Sequence, residues 1–133
     1  MKVLKMMAVL AVVAFIAGCS SLQTASVADL NGRKLTLDPK INEVAHINGA
    51  MWGLYFLNFG LWTGSADKLG DSTFFKDTAK VDNTVNYVTA RSQELGGKRV
   101  VDLQSVASTT MIPFPFPFLF YIKSVQASGN AVK

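Results

Sequence analysis

Hydrophobic and polar residues divide the chain into a long uncharged segment, an amphipathic segment and two alternating segments. Residues 44–66 carry no formal charge, and their densest part, residues 50–62, is rich in aromatic side chains. Aromatic residues favour strands, whereas each glycine costs about 1 kcal/mol inside a helix. We therefore expect a strand or a strand pair here. A transmembrane helix is the alternative, because the segment is long enough to span a bilayer.

Alternate residues of a strand share a face, so the aromatic part of this segment would present two apolar faces. One face would carry Trp52, Leu54 and Phe56, and the other would carry Met51, Tyr55, Leu57 and Phe59. A strand of this kind must be covered on both sides.

The spacing of apolar and small residues becomes helical after this segment. Steps of four and three place them on one stripe, which consists of Phe74, Thr78, Val81, Val85, Val88, Ser92 and Leu95. Gly96 and Gly97 follow, and glycine in the left-handed conformation commonly ends a helix. The pattern predicts one helix over residues 73–95, about 35 Å long. We expect it to pack on a sheet, with a coiled coil as the alternative.

The residue patterns of two later segments predict strands. Residues 98–106 alternate apolar and polar side chains, as a half-buried strand does. Residues 111–122 contain three prolines, which exclude a helix and would protect the outward side of an edge strand. In such a strand four aromatic rings would share one face: Phe114, Phe116, Phe118 and Phe120. A polyproline-type arm is the alternative, and residues 123–133 predict a final strand or tail.

These elements predict an α+β fold, in which a small antiparallel or mixed sheet packs against one long helix. We expect a single domain over residues 34–133. Before it, the small polar residues 20–28 suit a flexible tether within residues 19–33. Asn31 and Gly32 form the dipeptide that most strongly favours a two-residue hairpin turn, although an ordered loop on the tether is nearly as good an interpretation.

The N-terminus has the order of a secretory signal. Lys2 and Lys5 form a basic head, residues 6–16 form an uncharged apolar run, and small residues surround Cys19. The apolar run is shorter than the roughly 17–25 residues that a spanning helix needs. We therefore expect residues 1–18 to be a cleaved signal peptide.

The residues around Cys19 resemble the bacterial lipobox, with Ile16 at the position where leucine is usual. The resemblance implies that Cys19 becomes the first mature residue and carries a diacylglyceryl thioether and an amide-linked acyl chain. The next residue is Ser20 and not aspartate. In this class of lipoproteins that implies the outer membrane, with the domain facing the periplasm; the inner membrane is the alternative.

Composition removes several classes of function. The formal charge of +4 falls to +2 when Lys2 and Lys5 leave with the signal, so the basic balance does not indicate nucleic-acid binding. Cys19 is the only cysteine and His46 the only histidine, so neither an intrachain disulfide nor a zinc site can be assembled.

The sequence shows no catalytic constellation. Nucleophilic catalysis needs a base within reach of the nucleophile, and no serine lies in a G-x-S-x-G elbow. We interpret His46, which precedes the aromatic run, as a hydrogen-bonded strand residue. We therefore expect no enzymatic activity, no cofactor and no metal.

The C-terminal half resembles a domain of small bacterial envelope proteins. Gly96 and Gly97, the strand-like residues 100–104 and the terminal sequence SVQASGNAVK resemble the β-α-β-β domain of RcsF-type, YbjQ-type or TRL-like envelope proteins. The resemblance covers about residues 73–133 and implies the fold alone. RcsF-type domains depend on disulfides, which this chain cannot form.

Two rows of aromatic side chains, one in residues 50–62 and one in residues 114–120, offer more apolar area than one helix can cover. The candidates for contact with a membrane or a partner are Trp52, Phe56, Trp62, Phe114, Phe116 and Phe118. We expect a non-enzymatic interaction protein of the cell envelope, anchored through Cys19, with an envelope protein or a second copy as partner. One alternative is a membrane-embedded component that inserts residues 44–66 or 111–122. The other is a small-ligand binder or stress sensor.

Overall fold

Six strands and one helix form the part of the chain that the structure, a computed structural model, describes: residues 19–26, 40–113 and 118–133. In chain order the elements are β1 (Ser20–Ser26), β2 (Glu43–Phe56), β3 (Phe59–Gly64), β4 (Ser72–Phe74), α1 (Val81–Glu94), β5 (Arg99–Ile112) and β6 (Phe120–Val132). Strands hold 58% of the described residues and the helix 14%, so the fold is β-rich. The predicted α+β fold, a sheet packed against one long helix, is wrong.

All the strand pairs are antiparallel, and the sheet is built around β2. The strand order is β4-β3-β2-β6-β5, and β1 also pairs with β2. Strand β6 occupies one edge of β2 from end to end. Strands β1 and β3 therefore share its other edge, β1 beside residues 45–51 and β3 beside residues 53–56.

Helix α1 covers one face of this sheet, which we call the inner face. Along β2 every second residue from Ala45 to Tyr55 is buried, as alternation requires when one face is covered. Val88 of α1 packs with Ile47, Ala127 and Ala131, all of them buried. Farther along the inner face, Met51 and Tyr55 pack with Ala79.

Residues 44–66 form the β2–β3 hairpin, which confirms the predicted strand pair. The transmembrane-helix alternative for this segment is wrong. Among the described residues no helix combines the length and the apolar character that crossing a membrane requires.

The helix begins at Val81 and not at residue 73 as predicted, so it is only about 21 Å long. Residues 72–74 instead form β4, where Phe74 stacks on Trp62 with ring centroids 6.4 Å apart. The hydroxyl of Thr78 donates to the carbonyl of Gly64, which holds the following segment against β3. These tertiary contacts outweigh the helical spacing, because intrinsic helix propensity is weak. The glycine stop is confirmed: Gly96 has φ +81°.

Residues 111–122 do not form the predicted edge strand. Met111 and Ile112 end β5, Phe120 begins β6, and the chain reverses direction between them. Pro113, the described one of the three prolines, directly follows β5, where a missing N–H breaks no ladder. Strand β6 lies inside the sheet, between β2 and β5, and β5 is the edge. The predicted strand over residues 98–106 and the final strand over residues 123–133 are confirmed.

Several predictions concern residues outside the described part of the chain. They are the signal peptide over residues 1–18, the turn at Asn31 and Gly32, and the positions of Phe114 and Phe116. Residues 20–26, expected in a flexible tether, form strand β1. That expectation is wrong because these residues find a full set of partners on β2, from Ser20 opposite Met51 to Ser26 opposite Ala45.

Candidate functional site

The face of the sheet opposite α1, which we call the outer face, carries a continuous row of large apolar side chains. The register places Leu54 beside Ile122 of β6 and Trp62 of β3, and Trp62 beside Phe74 of β4. The side chains that share this part of the outer face, which we call the aromatic patch, are Trp52, Leu54, Phe56, Trp62, Phe74, Phe120 and Ile122. The fold thus gathers on one surface residues that are far apart in sequence.

The rings of the aromatic patch contact one another along the sheet. Trp52 and Trp62 meet edge to face at 5.8 Å between centroids, and Phe56 and Phe120 are tilted at 5.4 Å. Such pairs each contribute about 0.5–1.5 kcal/mol beyond the area they bury. They still leave apolar area in water: Phe74 is 63% exposed and Ile122 is 38% exposed.

Two chain reversals extend the patch at one end of the sheet. The backbone N–H of Leu57, in the β2–β3 turn, donates to the carbonyl of Leu119 in the β5–β6 connection at 2.7 Å. Beside this bond, Leu57, Phe59 and Phe118 are exposed by 46%, 73% and 67%. We call these three residues the apolar tip. Leu57 and Phe118 both have left-handed backbone, with φ +53° and +70°.

The strands under the aromatic patch are almost without charge. On β2 after Glu43, on β3, on β5 after Asp102 and on β6, the single formal charge is that of Lys123. Lys123 pairs with Gly53 on the inner-face register, and its Nζ lies 4.2 Å from the centroid of the Tyr55 ring. The outer-face side chains of this region are therefore neutral.

The other half of the outer face is polar. The carboxamide oxygen of Asn130 accepts a hydrogen bond from Nδ1 of His46 at 2.7 Å, and the Asn130 Nδ2 donates to Asp102 at 3.0 Å. The interpretation of His46 as a hydrogen-bonded strand residue is confirmed. Nearby, Gln104, Gln126 and other polar residues line a shallow cavity of about 180 Å³. In the described ranges no cluster of three or more His, Cys, Asp or Glu could hold a metal ion.

Cys19 lies where β1 begins, between β1 and the end of β3. Its carbonyl accepts a hydrogen bond from the Trp52 N–H at 2.8 Å, which continues the β1–β2 ladder by one residue. Ser20 is opposite Met51 and its side chain lies beside that of Tyr87, so Ser20 faces α1. Alternation then puts Cys19 with Trp52 on the outer face. Its side chain is buried, and burial raises the pKa of its thiol.

A groove opens beside the patch. It has a volume of about 570 Å³ and is lined by Leu54, Leu61, Trp62, Gly70, Asp71, Ser72 and Phe74. The volume is in the range of small-molecule sites. Its walls are mostly apolar, and Asp71, which pairs with Lys68 at 3.0 Å, is the one charged residue among them.

Three of the six predicted contact residues meet in the aromatic patch. Trp52, Phe56 and Trp62 belong to it, although Trp62 is only 8% exposed. Phe118 lies apart, in the apolar tip. The sequence analysis missed Phe74, because the helical spacing assigned it to the helix. Phe120 could have been included, since it continues the alternation of the phenylalanines before it.

Comparison with known proteins does not assign this chain to a family. No protein-family model matches it, and no curated protein or solved structure matches it either. The lipobox at residues 16–19 and the envelope domain over residues 73–133 therefore stay predictions. They rest on the resemblance of the residues alone.

Proposed function

We propose that this chain is a lipid-anchored bacterial cell-envelope protein without catalytic activity, held in the outer membrane by acylated Cys19 and facing the periplasm. One observation carries the proposal. The hydrogen-bonded sheet begins with the carbonyl of Cys19 and with Ser20, the first residue of β1. The lipobox-like sequence would thus be cut where the sheet starts. Two or more acyl chains on one residue hold a protein stably in a bilayer.

The buried thiol sets a condition on this proposal. A diacylglyceryl group on the Cys19 sulfur needs an opening at the surface, and the Cys19 side chain is fully buried in the structure. Acylation therefore requires that the residues packed on Cys19 move apart in the mature protein. The raised pKa of the thiol also means that an unacylated Cys19 would be a poor nucleophile in the folded state.

A lack of catalytic activity is proposed from the sequence and supported by the setting of His46. The ring of this histidine is held through Nδ1 by Asn130, which is itself held by Asp102. The outer membrane is proposed because Ser20 follows the cysteine, with the inner membrane as the alternative.

Self-association is the second candidate, and the exposure of β5 favours it. Every residue from Asp102 to Met111 is exposed, and among the described elements β5 pairs with β6 alone. Proteins usually protect an edge strand with charges, bulges or proline. Here a bulge between Val101 and Gln104 and a proline at residue 113 protect only the two ends. The edge between them can accept a strand from a second copy.

The proposal is tested by replacing the acylated residue. In bacteria fed a palmitate analogue, the wild type should take up label and stay in the membrane pellet after an alkaline wash. Cys19→Ser should lose the label and leave the pellet, whereas Ser21→Ala, a neighbouring change outside the acylation site, should behave like the wild type. An unlabelled wild type, or a Cys19→Ser protein that resists the wash, contradicts the proposal.

A further inference from the structure

The position of Cys19 also bears on how the domain is oriented. We propose that the aromatic patch and the apolar tip lie flat on the bilayer that receives the Cys19 acyl chains, so that the outer face is a lipid-binding surface. This inference rests on the proposed lipidation and adds to it an orientation and an occupant.

No flexible residues separate the proposed lipid anchor from the sheet. Strand β1 starts at the residue after Cys19, and the Cys19 carbonyl is itself bonded to Trp52 of the central strand at 2.8 Å. A flexible tether would let a domain stand away from the membrane at a distance that grows with its length. With no tether residue between lipid and sheet, the part of the domain around Trp52 must lie at the membrane surface.

The register decides which face meets the lipid. Because Ser20 is directed towards α1 and Cys19 lies opposite Trp52, the acyl chains would leave from the outer face. They would emerge beside the aromatic patch, since Cys19 is hydrogen-bonded to Trp52, which belongs to that patch. The opposite face is covered by α1 and is not available.

The chemistry of the two sides agrees with this orientation. Tryptophan concentrates at the boundary between lipid and water, where its ring is apolar and its N–H is polar. Both tryptophans of the chain belong to the aromatic patch, and the outer-face side chains of the strands around them carry no charge. The charges that border the patch are those of the Lys68–Asp71 ion pair, beside the groove that Trp62 lines. The exposed side of α1 instead carries charged pairs, such as Arg91 with Glu94 at 2.7 Å. The helix side suits water, and the patch suits lipid.

A lipid surface also fits better than another protein as the occupant. A partner docked on the patch would have to cover the Cys19 acyl chains as well, whereas a bilayer takes up both. The apolar tip extends the same surface with Leu57, Phe59 and Phe118, and its side chains can enter the headgroup region by roughly 5–10 Å.

Tryptophan fluorescence provides a direct test, because the chain has two tryptophans and both report on the patch. The full chain is expressed in bacteria, and the processed protein is purified in detergent. It is then reconstituted into phosphatidylethanolamine–phosphatidylglycerol vesicles, with and without mid-chain brominated lipid. We expect brominated lipid to remove about half of the emission or more, given the depth of interfacial side chains. Acrylamide, a quencher in the water, should quench less than it does in detergent-free unfolded protein.

A matched variant moves the reporter to the helix side. Trp52→Phe and Trp62→Phe combined with Asn86→Trp place the single tryptophan at an exposed position of α1. Its emission should be insensitive to brominated lipid, and its thermal unfolding checks that it folds.

The outcomes separate the two proposals. If the wild type is acylated but brominated lipid does not quench its emission, the proposed orientation is wrong and the proposed lipidation is unaffected. Equal quenching of the wild type and the helix-side variant also overturns the orientation. If shielding of the tryptophans from acrylamide depends on protein concentration and not on lipid, the patch contacts a second copy, which overturns the lipid assignment. A mass showing no acyl group overturns the proposed function and, with it, the orientation.

Discussion

Replacing Tyr55 by phenylalanine removes one hydroxyl from the inner face and tests how that face is held together. Tyr55 is fully buried, and its hydroxyl donates to Oδ1 of Asp77 at 2.6 Å. The bond joins the central strand to the segment that leads into α1. The ring itself can stay in place in the variant, so the change isolates the hydrogen bond.

The expected loss in the free energy of unfolding depends on the charge and the exposure of Asp77, which accepts the hydrogen bond. A hydrogen bond to a charged group contributes about 1.5–3 kcal/mol to stability. The Asp77 side chain is 42% exposed and lies 3.6 Å from the Lys80 ammonium, so water and Lys80 can partly replace the lost hydroxyl. We therefore expect the lower figure, about 1.5 kcal/mol at pH 8, which is roughly a tenfold change in the unfolding equilibrium.

The loss should shrink in alkali. Burial, followed by the hydrogen bond to Asp77, raises the pKa of Tyr55 in the folded state. Above about pH 10 tyrosine ionises in the unfolded chain, whereas folded Tyr55 keeps its proton. The free energy of unfolding of the wild type therefore falls by up to about 1.4 kcal/mol per pH unit for this group. Tyr87, whose pKa burial also raises, adds to this fall in both proteins.

Urea unfolding of a chain that begins at Ser20, followed by tryptophan emission at pH 8 and at pH 11, measures both effects. The control is Tyr121→Phe, which removes an exposed hydroxyl that donates to the Phe118 carbonyl at 2.8 Å. The reasoning is refuted if Tyr55→Phe costs no more than this control at pH 8. It is also refuted if the gap between Tyr55→Phe and the wild type is as large at pH 11 as at pH 8.

Three further predictions concern packing, the free edge and sorting. Gly60→Ala should cost about 2 kcal/mol or more in urea unfolding, because a Cβ there collides with the Lys76 carbonyl. Gly49→Ala should cost about 1 kcal/mol or less, since the nearest atoms, at 3.1 Å and 3.2 Å, belong to side chains; equal costs would contradict the reasoning. If β5 pairs with a second copy, Val106→Lys should abolish the dimer in analytical ultracentrifugation; an undiminished dimer argues against this edge. Ser20→Asp should move the protein from the outer to the inner membrane fraction, and an unchanged distribution contradicts the sorting rule.

The local patterns in the sequence predicted the centre of the sheet correctly. Period-two alternation placed Trp52, Leu54 and Phe56 on one face and Met51 and Tyr55 on the other, as the structure has them. The pattern works here because one face is covered by α1, which makes alternate positions different. Continuing the alternation to Leu57 and Phe59 is wrong, because the chain turns at Leu57 and Phe59 pairs with Phe56 across the turn.

Contacts between distant residues explain what the sequence analysis missed. The stripe from Phe74 to Leu95 is helical only from Val81, because Phe74 stacks on Trp62 of β3 and no local pattern encodes that partner. The patch itself could be predicted only in part. Phe120 and Ile122 join it through a 13-residue strand whose place between β2 and β5 depends on long-range pairing.

The state of the N-terminus decides the central proposal most directly. Mass spectrometry of the N-terminal peptide of the protein purified from membranes gives both the first residue and its modification. We predict a chain that starts at Cys19 and bears a diacylglyceryl thioether and an N-linked acyl chain. A free thiol at Cys19, or a mature chain that starts at any other residue, would contradict the proposal.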